Sequence, residues 1–559
     1  MLLGIDVGGT HTDAVVINQQ GIVAAAKVIT VHESLLHSVQ MALEEVLKSV
    51  SPRQIRKINL STTLTTNAII EQKLDPVGMF VSAGPGINPE QYKIGKYYFP
   101  CQGSIDHRGV EREPLADDQI ESYLQTCKAN DVRHYAAVSK FSPRNPIHEK
   151  ILEKKLQPYA DFITLGHQLS GRLNFPRRIA TAYYNSAIRQ PFNRFADAIE
   201  DSVKKLGIQA PINILKADGG TMPFSVSRRL PVESILSGPA ASVMGIVALC
   251  DIHEDAIILD IGGTTTDIAI FATGAPLLEK EGITIGGHST LVRALITRSI
   301  GIGGDSLVQI NKGKLTVGPQ RQGPAMALGG TKPTLIDACN IKGLATAGNK
   351  QASIDGIALL AEKLQTTPPE LADRIIETAV SSIMNTTREL IQEINNRPVY
   401  TVHEMLTDRQ LAPEKVYVMG GPAAAMSGTL ATAFNIPATV PDDYAIANAI
   451  GAALTRSTME LELFADTEKK TLIIPVLDIT EEIPSQYSLD DAVSRGKTSL
   501  AAYLRNFERQ DINEDDIEIT EADSFNMISN YFMVGKNIRV SCQLKPGIEQ
   551  TYRKGLETS

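Results

Sequence analysis

The sequence predicts an α/β protein made of two related lobes, followed by a small C-terminal α+β domain. An acidic, glycine-rich phrase occurs as IDVGGTHTD at residues 5–13 and again as LDIGGTTTD at residues 259–267, each time after a short apolar run. Asp, Gly, Gly, Thr, Thr and Asp coincide between the two copies. A third glycine-rich turn, VYVMGGPAAAMSG at residues 416–428, also follows β-type residues. Repeated turns at strand ends indicate a duplicated α/β unit.

The first lobe is expected to begin with three strands and a helix. The β-type runs LLGIDV, AVVI and IVAAAKVITV are separated by the turns GGTHTD and NQQG. Beyond Ser34, apolar residues from Leu35 to Leu47 recur at the spacing of an amphipathic helix.

The second lobe repeats this order. AIILDI at residues 256–261 is followed by GGTTTD and by IAIF at residues 268–271. A further turn, SIGIGGDS at residues 299–306, precedes VYVMGG, which continues into helical sequence. We expect domains over residues 1–250, 251–457 and 458–559, the last with a helix at residues 488–509 and a strand at NIRVSCQLKP.

Composition narrows the class of protein. A chain of 559 residues suits two to four domains, and a net charge of −9 without a basic block disfavours nucleic acid or an anionic membrane as partner. No apolar run reaches the ~18 residues of a membrane span, and the N-terminus lacks signal-peptide features, so a cytoplasmic location is expected. The five cysteines include no C-x-x-C pair and are expected to be passive thiols.

The repeated phrase is suited to phosphate. A strand that turns through two glycines exposes backbone N–H groups to an anion, and threonine hydroxyls add donors. Carboxylates such as Asp6 and Asp260 can hold the waters of Mg²⁺. One copy alone is typical of a tight hairpin, but two copies favour a cleft that holds a nucleotide phosphate tail from both sides. No P-loop or dinucleotide motif is present, which leaves ATP in a two-lobed cleft.

These motifs resemble the two phosphate motifs and the adenosine motif of the actin, heat-shock chaperone and sugar-kinase superfamily. The resemblance implies duplicated ribonuclease H-like (actin-like ATPase) lobes around a nucleotide cleft. Within it, the chain is similar to the hydantoinase/oxoprolinase family, specifically the hydantoin-utilisation A subunit, with an insertion in the first lobe. The matching stretches are DVGGTHTD, STTLTTNAIIEQK, FSPRNPIHE, RRIATAYYNSAI, DGGTMP, ILSGPAASVMG, LDIGGTTTDIAI, SIGIGGDS and VGPQRQGP.

The resemblance implies ATP-dependent hydrolysis of a cyclic amide such as a hydantoin or 5-oxoproline. A lactam carbonyl resists water, and phosphorylation of its oxygen makes ring opening accessible. The alternatives are an ATP-dependent ketone carboxylase subunit, a small-molecule kinase with Asp13, Asp267 or Asp305 as base, and a nucleotide-regulated activator. The resemblance implies a metal-dependent B subunit as the partner of this chain in a hetero-oligomer. A homodimer is the alternative assembly.

The implied site residues follow from the motifs. Asp6 and Asp260 are assigned to Mg²⁺, while Asp13 and Asp267 brace the hairpins or orient a substrate. The residues assigned to ATP are Gly8, Gly9, Thr10, Thr12, Gly262, Gly263, Thr264, Thr265, Gly303, Gly304, Gly420 and Gly421.

A substrate or phosphate contact is assigned to Thr63, Thr66 and Asn67, with a helix N-cap as the other interpretation. His148 and Glu149 are expected to cap a helix rather than to act as an acid–base or metal pair. Arg177 and Arg178 offer a cation for a carboxylate or phosphate, but exposed arginines are common.

The chain departs from the family pattern at three places. His11 replaces a common Phe, Asp305 stands in GIGGDS where the family commonly has Gly, and GGPA replaces G-G-A-G-P. The charge of Asp305 beside a phosphate site requires Mg²⁺ or a substrate cation.

Overall fold

Two sheets of matching topology, an inserted parallel sheet and a C-terminal antiparallel sheet organise the chain. The structure is a computed structural model, and it describes residues 1–31, 35–396, 410–508, 514–529, 531–544 and 547–558. None of the helices in these ranges combines the length and the apolar character needed to cross a bilayer.

The first-lobe sheet contains the predicted N-terminal meander. Across the sheet, its strands are Thr221–Pro223, Ile212–Leu215, Lys57–Thr62, Leu2–Val7, His11–Asn18 and Gly21–Ile29. The last three run antiparallel to one another, and Lys57–Thr62 runs parallel to Leu2–Val7. Helix Leu35–Val46 buries Val39 and Leu43 against this sheet, which confirms the predicted order of three strands and a helix.

The second-lobe sheet repeats this arrangement. Its strands are, across the sheet, Ala275–Pro276, Thr266–Ala272, Ala256–Ile261, Lys415–Met419 and Ala438–Thr439, with Thr297–Ile300 also paired to Thr266–Ala272. Again an antiparallel hairpin precedes a parallel strand. Asp6 lies opposite Asp13 in the first hairpin, and Asp260 lies opposite Asp267 in the second. The predicted duplicated ribonuclease H-like fold is therefore confirmed.

Helices cover the second-lobe sheet. They are Leu335–Ile341, Lys350–Lys363, Pro368–Asn395 and Ala423–Phe434. Pro368–Asn395 begins with a capping box in which Thr367 and Glu370 satisfy each other's backbone N–H groups. Its buried face includes Leu371, Ile375 and Ile383, which pack in the same core as the hairpin strands.

The insertion lies between strands Lys57–Thr62 and Ile212–Leu215 of the first lobe. It carries a parallel sheet whose strands are Phe162–Leu165, His134–Ser139, Val77–Ser82 and Tyr97–Pro100. The helices between these two first-lobe strands are Leu64–Ile70, Asp117–Ala129, Ile147–Leu156, Gly166–Leu169, Phe175–Ala187 and Arg189–Lys205, and helix Phe224–Ser227 follows strand Thr221–Pro223. In the described ranges, a two-stranded ribbon within the insertion pairs Ser104–Ile105 with Glu111–Glu113. Three further ribbons pair Leu278–Glu279 with Ala294–Leu295, Thr284–Ile285 with His288–Ser289, and Val308–Asn311 with Lys314–Val317.

The C-terminal region forms an antiparallel sheet. Its strands are, across the sheet, Ile479–Glu482, Thr471–Ile474, Glu460–Asp466, Phe532–Leu544 and Ile517–Ser529. Helix Leu489–Glu508 agrees with the helix predicted at residues 488–509, except that residue 509 lies outside the described residues. The last helix, Gln550–Thr558, contacts strand Gly21–Ile29 of the first lobe. The domain boundaries 1–250, 251–457 and 458–559 stay a prediction.

The two longest C-terminal strands continue into a projecting arm. From Ser524 to Gly535 the sequence carries no charge, and its apolar side chains are exposed. Phe525 is 64 % exposed, Ile528 is 70 % exposed and Phe532 is 75 % exposed. In the part of the chain that the structure describes, no segment therefore covers these apolar side chains of the hairpin.

Two helices between the lobes, Ser237–Leu249 and Ala447–Leu454, meet at their backbones. A Cβ on Gly451 would lie 2.3 Å from the backbone nitrogen of Gly245, and a Cβ on Gly4 would lie 2.0 Å from the Ala449 oxygen. Because no side chain fits at these positions, glycine is required for the helices to approach each other and the first strand.

Candidate nucleotide site

Each repeated phrase forms a tight hairpin turn at the end of a buried strand. The Gly8 N–H donates to the His11 oxygen at 3.0 Å, and the Gly262 N–H donates to the Thr265 oxygen at 2.9 Å. The two tips approach each other, since a Cβ on Gly263 would lie 3.0 Å from Cγ2 of Thr10.

Both tips line one cleft of about 570 Å³, which is within the ~300–1,000 Å³ usual for ligand pockets. The predicted site residues that line it are Asp6, Gly8, Gly9, Thr10, Asp13, Thr63, Asp260, Gly262, Gly263, Thr264, Thr265, Asp267, Gly304, Gly420 and Gly421. The other four, Thr12, Thr66, Asn67 and Gly303, are not lining residues. The sequence motifs thus converge on one place, and their assignment to ATP or substrate stays a prediction.

Hydrogen bonds orient the two metal-assigned carboxylates. Ser61 donates from Oγ to Oδ1 of Asp6. Oδ2 of Asp260 accepts from Ser242 Oγ at 2.6 Å and from Asn448 Nδ2 at 3.0 Å. Both carboxylates are therefore held in one orientation by side chains from neighbouring elements.

Burial makes ionisation of two of the aspartates costly. It raises the pKa of Asp6 to about 7, with the charges of Asp13 and Asp260 acting in the same direction. Burial and the charge of Asp260 raise the pKa of Asp267 to about 7 as well. Near neutral pH the cleft thus holds carboxylates that a cation would stabilise in their charged form.

Asp13 differs because it has a counter-ion within the chain. Lys27 Nζ donates to its two carboxylate oxygens at 2.9 and 2.7 Å and to the Ala445 oxygen at 2.9 Å. Burial raises the pKa of Asp13, and the charge and hydrogen bond of Lys27 oppose that effect. These contacts of Lys27 join the first hairpin to the segment before helix Ala447–Leu454.

The donor set fits Mg²⁺ bound largely through water and phosphate. Among the described residues, no three or more His, Cys, Asp or Glu side chains are grouped to hold a metal directly. Mg²⁺ usually keeps several waters and takes one or two carboxylates. Asp6 and Asp260 meet that requirement, and the Asn448 Oδ1 atom beside them is buried without a hydrogen-bond partner.

The GIGGDS turn supports the second hairpin with its backbone. The N–H groups of Gly304 and Asp305 donate to the oxygens of Gly262 and Gly263 at 3.0 and 2.7 Å. Gly303 donates to Ser306 Oγ at 2.8 Å, and a Cβ there would lie 2.7 Å from the Gly262 oxygen. These N–H groups are therefore engaged within the protein, and the turn packs against the tip of the second hairpin.

Asp305 has a cation partner, Arg321, that the sequence did not predict. Arg321 reaches its Oδ2 atom with Nε and Nη2, both at 3.0 Å. Arg321 thus supplies the positive charge beside Asp305 that was expected from Mg²⁺ or from a substrate cation. His11 also lines the cleft, and its Nδ1 lies 3.2 Å from Thr10 Oγ1. Burial and the charge of Lys27 lower the pKa of His11, while Asp305 opposes that effect.

The third glycine turn lies beside Asp260 in the cleft. Gly420 has φ +87°, and a Cβ there would lie 2.3 Å from the Ile261 oxygen and 2.6 Å from Asp260 Oδ1. Gly421 has no neighbouring atom within 4 Å of its Cβ position, so its backbone faces open space. Apolar Leu328 and Leu344 also line the cleft, and apolar side chains suit a nucleoside.

Only part of the STTLTTNA stretch lies at the cleft. Thr63 lines the cleft and precedes helix Leu64–Ile70 without a side-chain cap hydrogen bond. Thr66 Oγ1 accepts from the Leu236 N–H at 3.0 Å, and Asn67 donates to Thr63 Oγ1 at 3.3 Å. Of the three predicted substrate residues, only Thr63 faces the cleft.

The NPIHE residues form a buried network in the insertion, and the predicted cap is wrong. Glu149 accepts from the Ser139 and His167 N–H groups at 2.7 and 2.9 Å and from His167 Nδ1 at 2.6 Å. Burial opposes ionisation of Glu149, but His167 and Arg178 hold its pKa below the usual value.

Neither Arg177 nor Arg178 lines the nucleotide cleft. Arg178 is fully buried and lies 3.7 Å from Glu149. Arg177 donates to the Gly282 and Thr290 oxygens at 2.7 and 2.9 Å. Both arginines therefore serve the structure of the insertion and of the ribbon beside it.

Comparisons with known proteins identify the family of the chain. The model described as hydantoinase/oxoprolinase matches residues 178–461, and the model of the hydantoinase/oxoprolinase N-terminal region matches residues 2–159. The chain is 26 % identical over 410 residues to caprolactamase subunit alpha of Pseudomonas jessenii, covering 65 % of this chain and 58 % of that one. It is 22 % identical over 395 residues to the acetophenone carboxylase gamma subunit of Aromatoleum aromaticum, covering 60 % and 52 %.

The fold also matches a solved structure. Nucleotide-free acetone carboxylase superposes with a TM-score of 0.71 at 15 % identity, covering 99 % of this chain and 88 % of that one. The chain spans little more than half the length of the two relatives named above.

Proposed function

Because the chain belongs to the hydantoinase/oxoprolinase family, we propose that it is the ATP-binding subunit of an ATP-dependent amidohydrolase. In this proposal it transfers a phosphoryl group from ATP to the carbonyl oxygen of a cyclic amide of the hydantoin or 5-oxoproline type. The observation that carries the proposal is the convergence of two Gly-Gly-Thr tips and four aspartates on one cleft.

The cleft suits phosphoryl transfer because that reaction depends on positioning and charge neutralisation. Gly9, Thr264 and Thr265 line the cleft, where their backbone N–H groups would donate to phosphate oxygens. Asp6 and Asp260 would hold Mg²⁺ through its waters, and the ion would neutralise charge on the phosphates. Asp267 is left to orient the substrate, since its pKa near 7 permits a proton to be held or released at neutral pH.

Phosphorylation of its oxygen makes the unreactive carbonyl of a lactam open to attack by water. The amide oxygen attacks the terminal phosphorus of ATP and ADP leaves, which converts the carbonyl carbon into an imidate-like centre. Water then adds to that carbon and the C–N bond breaks, which leaves the free amine and an acyl phosphate. A second water cleaves the acyl phosphate and releases phosphate. The sum is ATP, lactam and two waters giving ADP, phosphate and the ring-opened amino acid.

We propose a second, metal-dependent subunit as partner for the hydrolytic half. Support comes from relatives that are themselves named as subunits, of caprolactamase and of acetophenone carboxylase. The chain then activates the substrate, and the partner supplies the site at which water adds.

A ketone carboxylase is the second candidate, because the acetophenone carboxylase gamma subunit is a relative. A ketone enolate would accept the phosphoryl group in place of an amide oxygen. A small-molecule kinase or a nucleotide-regulated activator would use the same cleft without a hydrolytic partner.

The test is ATP consumption by the purified chain with Mg²⁺ and one of four substrates: a hydantoin, 5-oxoproline, an aliphatic ketone or a sugar. The assay is run with and without the product of a neighbouring gene, and with Asp6→Asn as a control that should abolish turnover. Stimulation by a cyclic amide supports the amidohydrolase. Stimulation by ketone plus bicarbonate supports the carboxylase, and a stable phosphorylated sugar would overturn both.

A further inference from the structure

The hairpin arm at residues 524–535, with the sequence SFNMISNYFMVG, is held at its base by the C-terminal sheet. Strand Glu460–Asp466 stops pairing with strand Phe532–Leu544 where the arm begins. At that point the Thr467 N–H donates to the Lys536 oxygen at 3.0 Å, and the Lys536 N–H donates to Thr467 Oγ1 at 2.7 Å. The arm therefore projects from an ordered base, which limits the entropy that a contact at its tip would cost.

The arm carries no charged side chain, whereas the chain as a whole has a net charge of −9. Identical chains with this charge repel each other, and an uncharged surface is where two copies can meet without opposing like charges. The exposed apolar side chains of the arm are Phe525, Ile528, Tyr531, Phe532, Met533 and Val534.

A register shift between Met527 and Ile528 gathers apolar side chains on one face of the arm. Ile528 lies opposite Met533. Phe525 lies opposite Asn537, which is four residues further along the same strand as Met533. Because side chains alternate between the two faces of a strand, Phe525, Ile528 and Met533 share one face.

The exposed apolar area of the arm suits an interface of standard size. At about 200 Å² for each aromatic side chain, Phe525, Tyr531 and Phe532 expose on the order of 500 Å². With the other three side chains the total reaches on the order of 800 Å², which is what each partner buries in a standard protein interface. The largest apolar patch of a typical monomer is about 300–600 Å².

The arm also offers a backbone edge. Within the described ranges, strand Ile517–Ser529 is the last strand of its sheet, so one edge of its backbone has no strand beside it. The N–H and C=O groups of such an edge are a template for a further strand. We propose that two copies of this chain form a dimer about a two-fold axis, in which residues 524–528 of one copy pair antiparallel with the same residues of the other.

The placement of charge fits this pairing of two identical strands. The carboxylates of the strand, Glu518, Glu521 and Asp523, all precede the arm. With the axis near Asn526, they lie beside the uncharged tip of the second copy and not beside its carboxylates. A parallel arrangement in register would instead set each carboxylate beside its own equivalent, which weakens a strand pair.

The proposal concerns assembly and goes beyond the reaction proposed above. The arm contributes no lining residue to the nucleotide cleft, so the dimer forms with or without ATP and substrate. A two-fold contact of this kind is closed, because the same surface is used on both copies.

The experiment measures the molar mass of the full chain by light scattering after size-exclusion chromatography, at about 0.1 to 100 μM protein. We expect a dimer with a dissociation constant of about 1 μM or lower, as for other interfaces of standard size. Phe525→Lys and Phe532→Lys should each raise this constant by about tenfold or more, because a charge then enters the apolar contact. Both side chains are exposed in the single chain, so neither variant disturbs its core.

The matched control is Leu359→Lys on helix Lys350–Lys363. Leu359 is as exposed as Phe525 but lies outside the arm, so this variant should dimerise as the unaltered chain does.

A cysteine variant tests the position of the axis. Two copies of Asn526→Cys would bring their thiols within about 8 Å of each other, so a short bis-maleimide should link them. The unaltered chain, whose five cysteines are buried or half-buried, should stay unlinked, and so should the exposed control Leu359→Cys.

Three results would overturn the proposal: a chain that stays monomeric over the whole concentration range, a dimer that Phe525→Lys leaves unchanged, or species that keep growing beyond the dimer. Hydrogen exchange of the arm separates a further case. If the chain is monomeric alone and the arm is protected only after the proposed metal-dependent subunit is added, the arm binds that subunit and not a second copy.

Discussion

Ser242 donates a hydrogen bond from Oγ to Oδ2 of Asp260 at 2.6 Å. Ser242 lies on helix Ser237–Leu249, and Asn448 on helix Ala447–Leu454 donates to the same oxygen at 3.0 Å. These are the two helices whose backbones touch between the lobes. The orientation of one metal-assigned carboxylate is therefore linked to the packing of both lobes.

Ser242→Ala should lower the turnover number for ATP hydrolysis by about tenfold, because a hydrogen bond to a charged group is lost. Steady-state ATPase measurements check this. The control is Ser427→Ala, which removes an exposed hydroxyl from another helix and should leave the rate unchanged. An unaltered rate in Ser242→Ala would show that Asn448 alone is sufficient to orient Asp260.

Protonated Asp6 and Asp267 should contribute stability to the apoprotein that is lost as the pH rises from about 4 to about 7. Asp6 and Asp267 have folded-state pKa values of about 7 against an ordinary value of 3.8, so the unfolded chain releases these protons at lower pH. Deprotonation over that interval therefore favours unfolding. Melting curves should show a steeper fall for the unaltered chain than for Asp6→Asn combined with Asp267→Asn. The exposed Asp490→Asn should keep the original slope.

Arg321→Gln should raise the dissociation constant of ATP by about tenfold, because Asp305 then faces the phosphates without its counter-ion. Adding Asp305→Asn to that variant should restore binding. Calorimetric titration with a non-hydrolysable ATP analogue measures both. If the double variant binds as weakly as Arg321→Gln, the arginine contacts the nucleotide directly and does not act through Asp305.

Gly451→Ala should reduce the free energy of unfolding by about 2 kcal/mol or more, because its Cβ would overlap the Gly245 backbone. Gly428→Ala is the matched control: it is also helical, has no atom within 4 Å of its Cβ position, and should gain about 0.5–1 kcal/mol. Denaturant unfolding compares the two. Equal stability of both variants would contradict the close helix contact.

The hairpins were predictable because their signals are local. A short apolar run followed by Asp and two glycines fixes a strand, a turn and a returning strand within about nine residues. Because the spacing is identical in the two copies, Asp13 and Asp267 take equivalent positions, opposite Asp6 and Asp260. The family resemblance added the duplicated fold, which the two sheets confirm.

The partners of the aspartates were not predictable because they come from distant segments. Ser242, Asn448 and Arg321 reach the cleft only once the lobes have packed, and each is a common residue in an ordinary context. The same holds for Glu149, whose place in the first turn of a helix suggests a cap. The fold instead brings His167 and Arg178 to it, and a buried carboxylate then requires those partners.

The uncharged arm from Ser524 to Gly535 affects how the protein behaves in concentrated solution. Exposed apolar side chains on a two-stranded hairpin are a site for self-association. Produced on its own, the chain should therefore sediment as larger species when concentrated, and net charge cannot prevent this because the arm itself carries none. Dilution or a mild detergent, rather than added salt, is the condition under which a single chain can be isolated.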